Sequence, residues 1–275
     1  IDENLLIINT KIRDILIGLN VEDQFAVDQK LIQLDGTINK SKIGANTIIA
    51  VSMANLKAAA TANKASLWEY LDSSTEKKLP LPEIQIFGGG IHARGSIPIQ
   101  DFMIIPNGAP DFKTALHWVF KIYKLAGEKL LSENKLYGVA DEGGYWPHFN
   151  DINSVLDFLI KVIEQAGLKP YTQVSISLDI AANNFRFKNK YKISDMGDIL
   201  FSSNDLYNYI LKLIKTYPII SIEDPFAEED IEYFKKLKEN TPSYLQIVGD
   251  DLVVTNTKLI KKAYKRNAIN TVLIK

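Results

Sequence analysis

The run Ile219-Ile-Ser-Ile222 is short, apolar and β-branched, and it ends on Glu223-Asp224. Three more runs end on a charged residue in the same way. Val174-Ser-Ile-Ser-Leu178 ends on Asp179, Gln246-Ile-Val-Gly249 on Asp250-Asp251, and Val272-Leu-Ile274 on Lys275. Short apolar runs of this kind read as buried strands. Asp179 and Glu223 are 44 residues apart, Glu223 and Asp250 are 27 apart, and Asp250 and Lys275 are 25 apart. The last two gaps each fit one strand–helix unit. In a parallel barrel all strand C-termini open on one face, and that face holds the reacting groups. The spacing therefore predicts three acids and one lysine at a common mouth.

Working outward, helix-like stretches separate these runs: 111–131, 153–166, 204–217, 228–240 and 256–266. Strands alternating with helices imply parallel pairing through crossovers. Two further runs, 84–87 and 102–105, have no helix between them, so that pair can be antiparallel. The predicted order is β, β, α, α, then β-α repeated. Residues 1–76 read instead as helical. Apolar residues recur at helical spacing over 24–34, and 44–62 reads as a mostly buried helix. The polar, Pro-punctuated stretch 73–82 marks the boundary. Two domains are expected, 1–76 and 77–275. The chain opens on Ile1 and stops directly after a strand-like run, so it is expected to be a piece of a longer protein.

Three carboxylates on adjacent strands, without His or Cys, form a hard-oxygen set of the kind Mg²⁺ prefers. Lys275 on the next strand could act as a base if neighbouring cations lower its pKa. Each acid alone reads more readily as a cap of the following helix or a solvated loop residue; it is the four polar ends in register that point to a site. Ala140-Asp-Glu-Gly-Gly144, with paired acids and glycines, is expected as a loop between helices. Gly88-Gly-Gly-Ile-His92-Ala-Arg-Gly95 follows the first strand-like run but leads into no helix, so it is not a dinucleotide fingerprint. His117 and His148 are weaker candidates.

Composition narrows the class. Among 275 residues, 46% are hydrophobic and 24% charged, a globular profile. The 32 basic and 33 acidic residues nearly cancel, so no global field favours nucleic acid or an anionic membrane surface. No cysteine is present, which excludes disulfides, thiolate metal sites and a Cys nucleophile. No apolar run reaches membrane-spanning length. A cytoplasmic setting, with no nucleic-acid or membrane partner, is the default expectation.

Five stretches in order resemble the enolase family, the phosphopyruvate hydratases of glycolysis. They are Lys40-Ser-Lys-Ile-Gly-Ala-Asn46, Gln100-Asp-Phe-Met-Ile104, Asp141-Glu-Gly-Gly144, Ser221-Ile-Glu-Asp-Pro-Phe226 and Gln246-Ile-Val-Gly-Asp-Asp-Leu252 with Thr255-Asn256. The resemblance implies an α/β protein. It would be an enolase-type (β/α)8 barrel with a ββαα start and about six of eight strands present, preceded by the helical part of an α+β N-terminal domain. It implies reversible dehydration of 2-phosphoglycerate, a small phosphorylated acid, to phosphoenolpyruvate. It places Mg²⁺ on Asp179, Glu223 and Asp250. Lys275 would be the base, Glu142 the acid assisted by Asp101, His92 part of a closing loop, and Gln100 a lining residue. It also implies a homodimer. The departures are Asp101 where the family usually has Glu, Ile91-His-Ala-Arg94 where it has Ser-His-Ala-Gly, and Gly88 where Asn is common. The shorter Asp101 could weaken the acid pair. Another acid dehydratase of the wider superfamily, or a non-catalytic binding protein on the same fold, are the alternatives. The 275-residue piece by itself is expected to be inactive.

Overall fold

A computed structural model describes residues 2–72, 74, 76–90, 97–193 and 200–275. The chain forms two compact units, Ile1–Lys78 and Leu79–Lys275. No described helix is long and apolar enough to cross a membrane.

The first unit is helical: α1 (Asp2–Ile7), a π-helical turn, α2 (Arg13–Leu16), α3 (Gln24–Asp35), α4 (Ala45–Ala62) and α5 (Leu67–Leu71). The Asp23 carboxylate caps α3 by accepting from the Ala26 amide at 2.9 Å. Gly36, at a left-handed φ of 71°, ends it. Ile12, Val27, Leu31, Ile43 and Ile48 form a small core. The expectation of a mostly buried α4 is not met. Within this unit Thr47, Ile48, Ala59 and Ala60 are buried, whereas Ile49 and Met53 are more than half exposed. Alanine favours helix whether or not it is covered, so an Ala-rich run announces the helix and not its burial.

The second unit follows the order read from the sequence, with short additions. Its elements are β1 (Ile84–Gly88), β2 (Asp101–Ile105), α6 (Phe112–Ser132), β3 (Leu136–Val139), β4 (Tyr145–Pro147), α7 (Ile152–Gln165) and β5 (Ser175–Asp179). A small sheet follows, β6 (Arg186–Phe187), β7 (Lys190–Lys192) and β8 (Leu200–Phe201). The chain then forms α8 (Ser203–Thr216), β9 (Ile219–Glu223), α9 (Ile231–Glu239), β10 (Gln246–Gly249), α10 (Thr257–Lys265) and β11 (Thr271–Val272). Asp111, Asp151, Ser202 and Asn256 cap α6, α7, α8 and α10 with their side chains.

The main sheet has the order β11-β10-β9-β5-β2-β1-β4-β3. The neighbours β5, β9, β10 and β11 are parallel, as one helix between each successive pair requires. β2 is antiparallel to both β1 and β5. Along each strand alternate side chains face opposite ways. One set, including Phe102, Ile104, Ile176, Leu178, Ile222 and Ile247, joins a core with Leu159 and Ile163 of α7 and Leu206 and Ile210 of α8. The other set includes Ser175, Ser177, Asp179, Ser221 and Glu223, all buried. The sheet thus has an apolar face under helices and a polar face that carries the acids.

Candidate active site

The register decides which acids meet. Asp101, the first residue of β2, pairs with Asp179, the last residue of β5. Asp179 in turn pairs with Glu223, the last residue of β9. The antiparallel sense of β2 is what sets its start beside the ends of its neighbours. Asp250 directly follows β10, whose Val248 is the register partner of Glu223.

These carboxylates are buried. Burial pushes the Asp179 pKa up to about 8, and the charges of Asp101, Asp224 and Asp250 add to the shift. Burial likewise pushes Glu223 up to about 9, with further repulsion from Asp179 and Asp250. Neighbouring buried acids of this kind cannot all ionise without nearby positive charge. On that chemistry the set suits a divalent, oxygen-preferring cation. Among the described residues no three His, Cys, Asp or Glu side chains are drawn together as a ligating group. Asp250 Oδ2 instead lies 2.6 Å from Lys275 Nζ. The hydrogen bond from Lys275 to Asp250 raises the lysine pKa, an effect stronger than the opposing partial burial.

Gln100 lies at the same rim. Its Nε2 donates to Asp179 Oδ2 at 2.8 Å, and its Oε1 accepts from Asn184 Nδ2 at 3.0 Å. The Ala181 amide donates to the other Asp179 oxygen at 2.9 Å. Glu142 is exposed. Its segment differs from the expectation of a loop between helices, because it is the turn of the β3–β4 hairpin. Ala140 N donates to Gly144 O at 2.7 Å and closes that turn. The flanking strands are too short to show an alternation. His92 lies outside the described residues.

Two residues of the site were given no role by sequence reasoning. Asp224 is buried, with a left-handed φ of 37°. Its carboxylate accepts the amides of Asp251 at 2.5 Å, Asp250 at 3.3 Å and Leu252 at 3.4 Å. Burial raises its pKa to about 6, even though the Asp251 and Asp250 amides pull the other way. Asp224 therefore anchors the backbone that presents Asp250. Gln85, on β1, donates from Nε2 to the Asp101 carboxylate and accepts the Gly144 amide at 2.6 Å. Its only signal in the sequence is a polar residue inside an apolar run.

The family model "Enolase, C-terminal TIM barrel domain" matches residues 76–275, and "Enolase, N-terminal domain" matches residues 1–71. The chain belongs to the enolase family. The enolase of Ehrlichia ruminantium strain Welgevonden is 43% identical over 269 residues, 98% of this chain and 63% of that protein. The enolases of E. ruminantium strain Gardel and of Ehrlichia canis strain Jake are each 42% identical over the same shares. The chain thus spans 63% of the length of these enolases. Membership carries the (β/α)8-type barrel class read from the sequence. Within it, the antiparallel β1–β2 start and the strand-ending acids of β5 and β9 are the features seen directly in the register.

Proposed function

We propose that the complete protein interconverts 2-phosphoglycerate and phosphoenolpyruvate plus water, with the acid row of β2, β5 and β9 at the reacting centre. The observation that carries this reading is the side-by-side register of Asp101, Asp179 and Glu223, with Lys275 on Asp250.

The substrate's α-hydrogen sits next to a carboxylate, so its removal piles charge on an existing anion. A divalent cation such as Mg²⁺, held by Asp179, Glu223 and Asp250, would compensate that charge and weaken the hold of Asp250 on Lys275. Neutral Lys275 accepts the α-proton at Nζ, and the C–H electron pair becomes available to the α-carbon. Glu142 gives its proton to the β-hydroxyl as the C–O bond breaks. The C–O pair leaves with water, and the freed α-carbon pair forms the double bond. Asp101 supports the acid side, and Gln100 holds Asp179 in place. Preorganised groups avoid the reorganisation that water would need to undergo. His92, by the same resemblance, belongs to a loop that closes over substrate.

The test is phosphoenolpyruvate formation by the complete protein, with Mg²⁺ and with a panel of other hydroxy acids. Turnover of 2-phosphoglycerate above all others is expected. Preference for a different acid would replace this reading with another dehydratase of the superfamily. The 275-residue chain by itself is expected to lack turnover. The resemblance also carries a homodimer, and a cytoplasmic setting is the default expectation. Sedimentation of the complete protein and cell fractionation test these two expectations.

A further inference from the structure

We infer that Gln85 is a positioning residue that links the two halves of the acid side, Asp101 and the turn bearing Glu142. The inference rests on the dehydratase reading above. Gln85 is 8% exposed, so its amide has little access to water and must find partners in the protein. It finds two, on segments far apart in sequence. The Nε2 group donates to Asp101 on β2, and Oε1 accepts the Gly144 amide on the far side of the Glu142 turn. The backbone N–H of Gly144 only donates, so Oε1 must face it and Nε2 is left to face Asp101. Residue 144 allows the approach by having no side chain. A Cβ there would meet Gln85 Oε1 at 2.5 Å.

The turn is closed by its own Ala140–Gly144 and Gly143–Ala140 bonds, a Tyr123 hydroxyl donates to Gly143 O at 2.8 Å, and Tyr145 just beyond it is the register partner of Phe87 on β1. Gln85 is the side chain that connects it to the acid row. One amide thus fixes the spacing between an exposed acid on a hairpin turn and a buried acid on a strand. Positioning of this kind is worth orders of magnitude when a displaced group must meet a leaving hydroxyl.

The inference separates the acid side from the base side, and two measurements read them apart. Solvent exchange of the substrate's α-hydrogen reports Lys275, and phosphoenolpyruvate formation reports the whole reaction. In the complete protein, Gln85→Leu removes both bonds. Gln85→Met also removes both bonds, at a similar side-chain volume and without adding a charge to the acid row. Both variants should lose about tenfold in kcat for dehydration. Exchange should stay within about twofold, so the ratio of exchange to dehydration rises. Gln85→Met, whose flexible chain can fill the same space, also guards against a folding defect in the leucine variant. Equal loss of both rates, or no loss in either, overturns the inference. A wild-type protein that exchanges and dehydrates nothing overturns the functional reading itself, and the inference with it.

Discussion

Two buried acids, one in each unit, show opposite uses of the same side-chain chemistry. Asp35 in the helical unit is 1% exposed and Glu223 in the sheet unit is 7% exposed. Burial alone raises both pKa values. Around Asp35 that effect is outweighed by the Thr37 hydroxyl and by the amides of Ile43, Thr37 and Lys42, and the carboxyl settles at about 2. Around Glu223 the neighbours are other carboxylates, and the pKa rises to about 9. Surrounding donors make Asp35 a clamp for the segment 37–43. Surrounding acids add their repulsion to the cost of burial at Glu223, so no interaction there offsets it as the donors do at Asp35.

The strongest way to break this contrast is Asp250→Ala in the complete protein. Turnover should fall on the order of a thousandfold, because one group compensating charge at the reacting centre is worth several kcal/mol. Stripping divalent ions should act like the mutation, and Mg²⁺ should restore the wild type but not the variant. Retained turnover in Asp250→Ala would make the acid row a structural feature like Asp35.

Next in size is the core that holds the row in register. Leu159 of α7 is fully buried against the apolar face of the sheet. Leu159→Ala should cost about 2–5 kcal/mol in urea unfolding. A loss under about 1 kcal/mol would mean that α7 is not what supports the sheet.

Asp35 predicts an acid-side effect with a fixed sign. Its folded pKa lies below the ordinary 3.8, so the unfolded chain binds the proton more readily. The stabilisation is fully present above about pH 4 and is lost as pH falls towards about 2. Asp35→Asn should lower stability at neutral pH and flatten the decline over that window. Urea midpoints measured from pH 2 to pH 6 check it, and an unchanged slope would remove Asp35 from its role as clamp.

The smallest effect is expected far from both acids. Lys235 and Glu239 on α9 are half exposed and 3.9 Å apart. Glu239→Gln should change stability by less than about 0.5 kcal/mol, as exposed helical pairs do. A larger change would mean that surface charge matters more here than the buried carboxylates suggest.

What could be read from the sequence follows from how local each signal is. The runs at 84–87, 102–105, 219–223 and 245–249 became β1, β2, β9 and β10 within a residue or so, because each is a buried strand bounded by turn residues. The acids ending β5 and β9 were legible for the same reason, since strand direction alone places them at one rim. β3 and β4 were not, as four and three residues carry no usable period. The roles of Gln85 and Asp224 were hidden for a different reason. Gln85 joins partners 16 and 59 residues away, and Asp224 partners 26 to 28 away, so only the register brings them together.

The reversed course of β2 has one more consequence. β1 ends and β2 begins at the acid end of the sheet, since Gly88 and Asp101 are register partners. Ile97 and Ile99, just before β2, are buried in the same core as Ile152 of α7 and Leu206 of α8. The residues that lead into the acid end are thus also core residues, so an engineer who reshapes that approach must repack the scaffold as well.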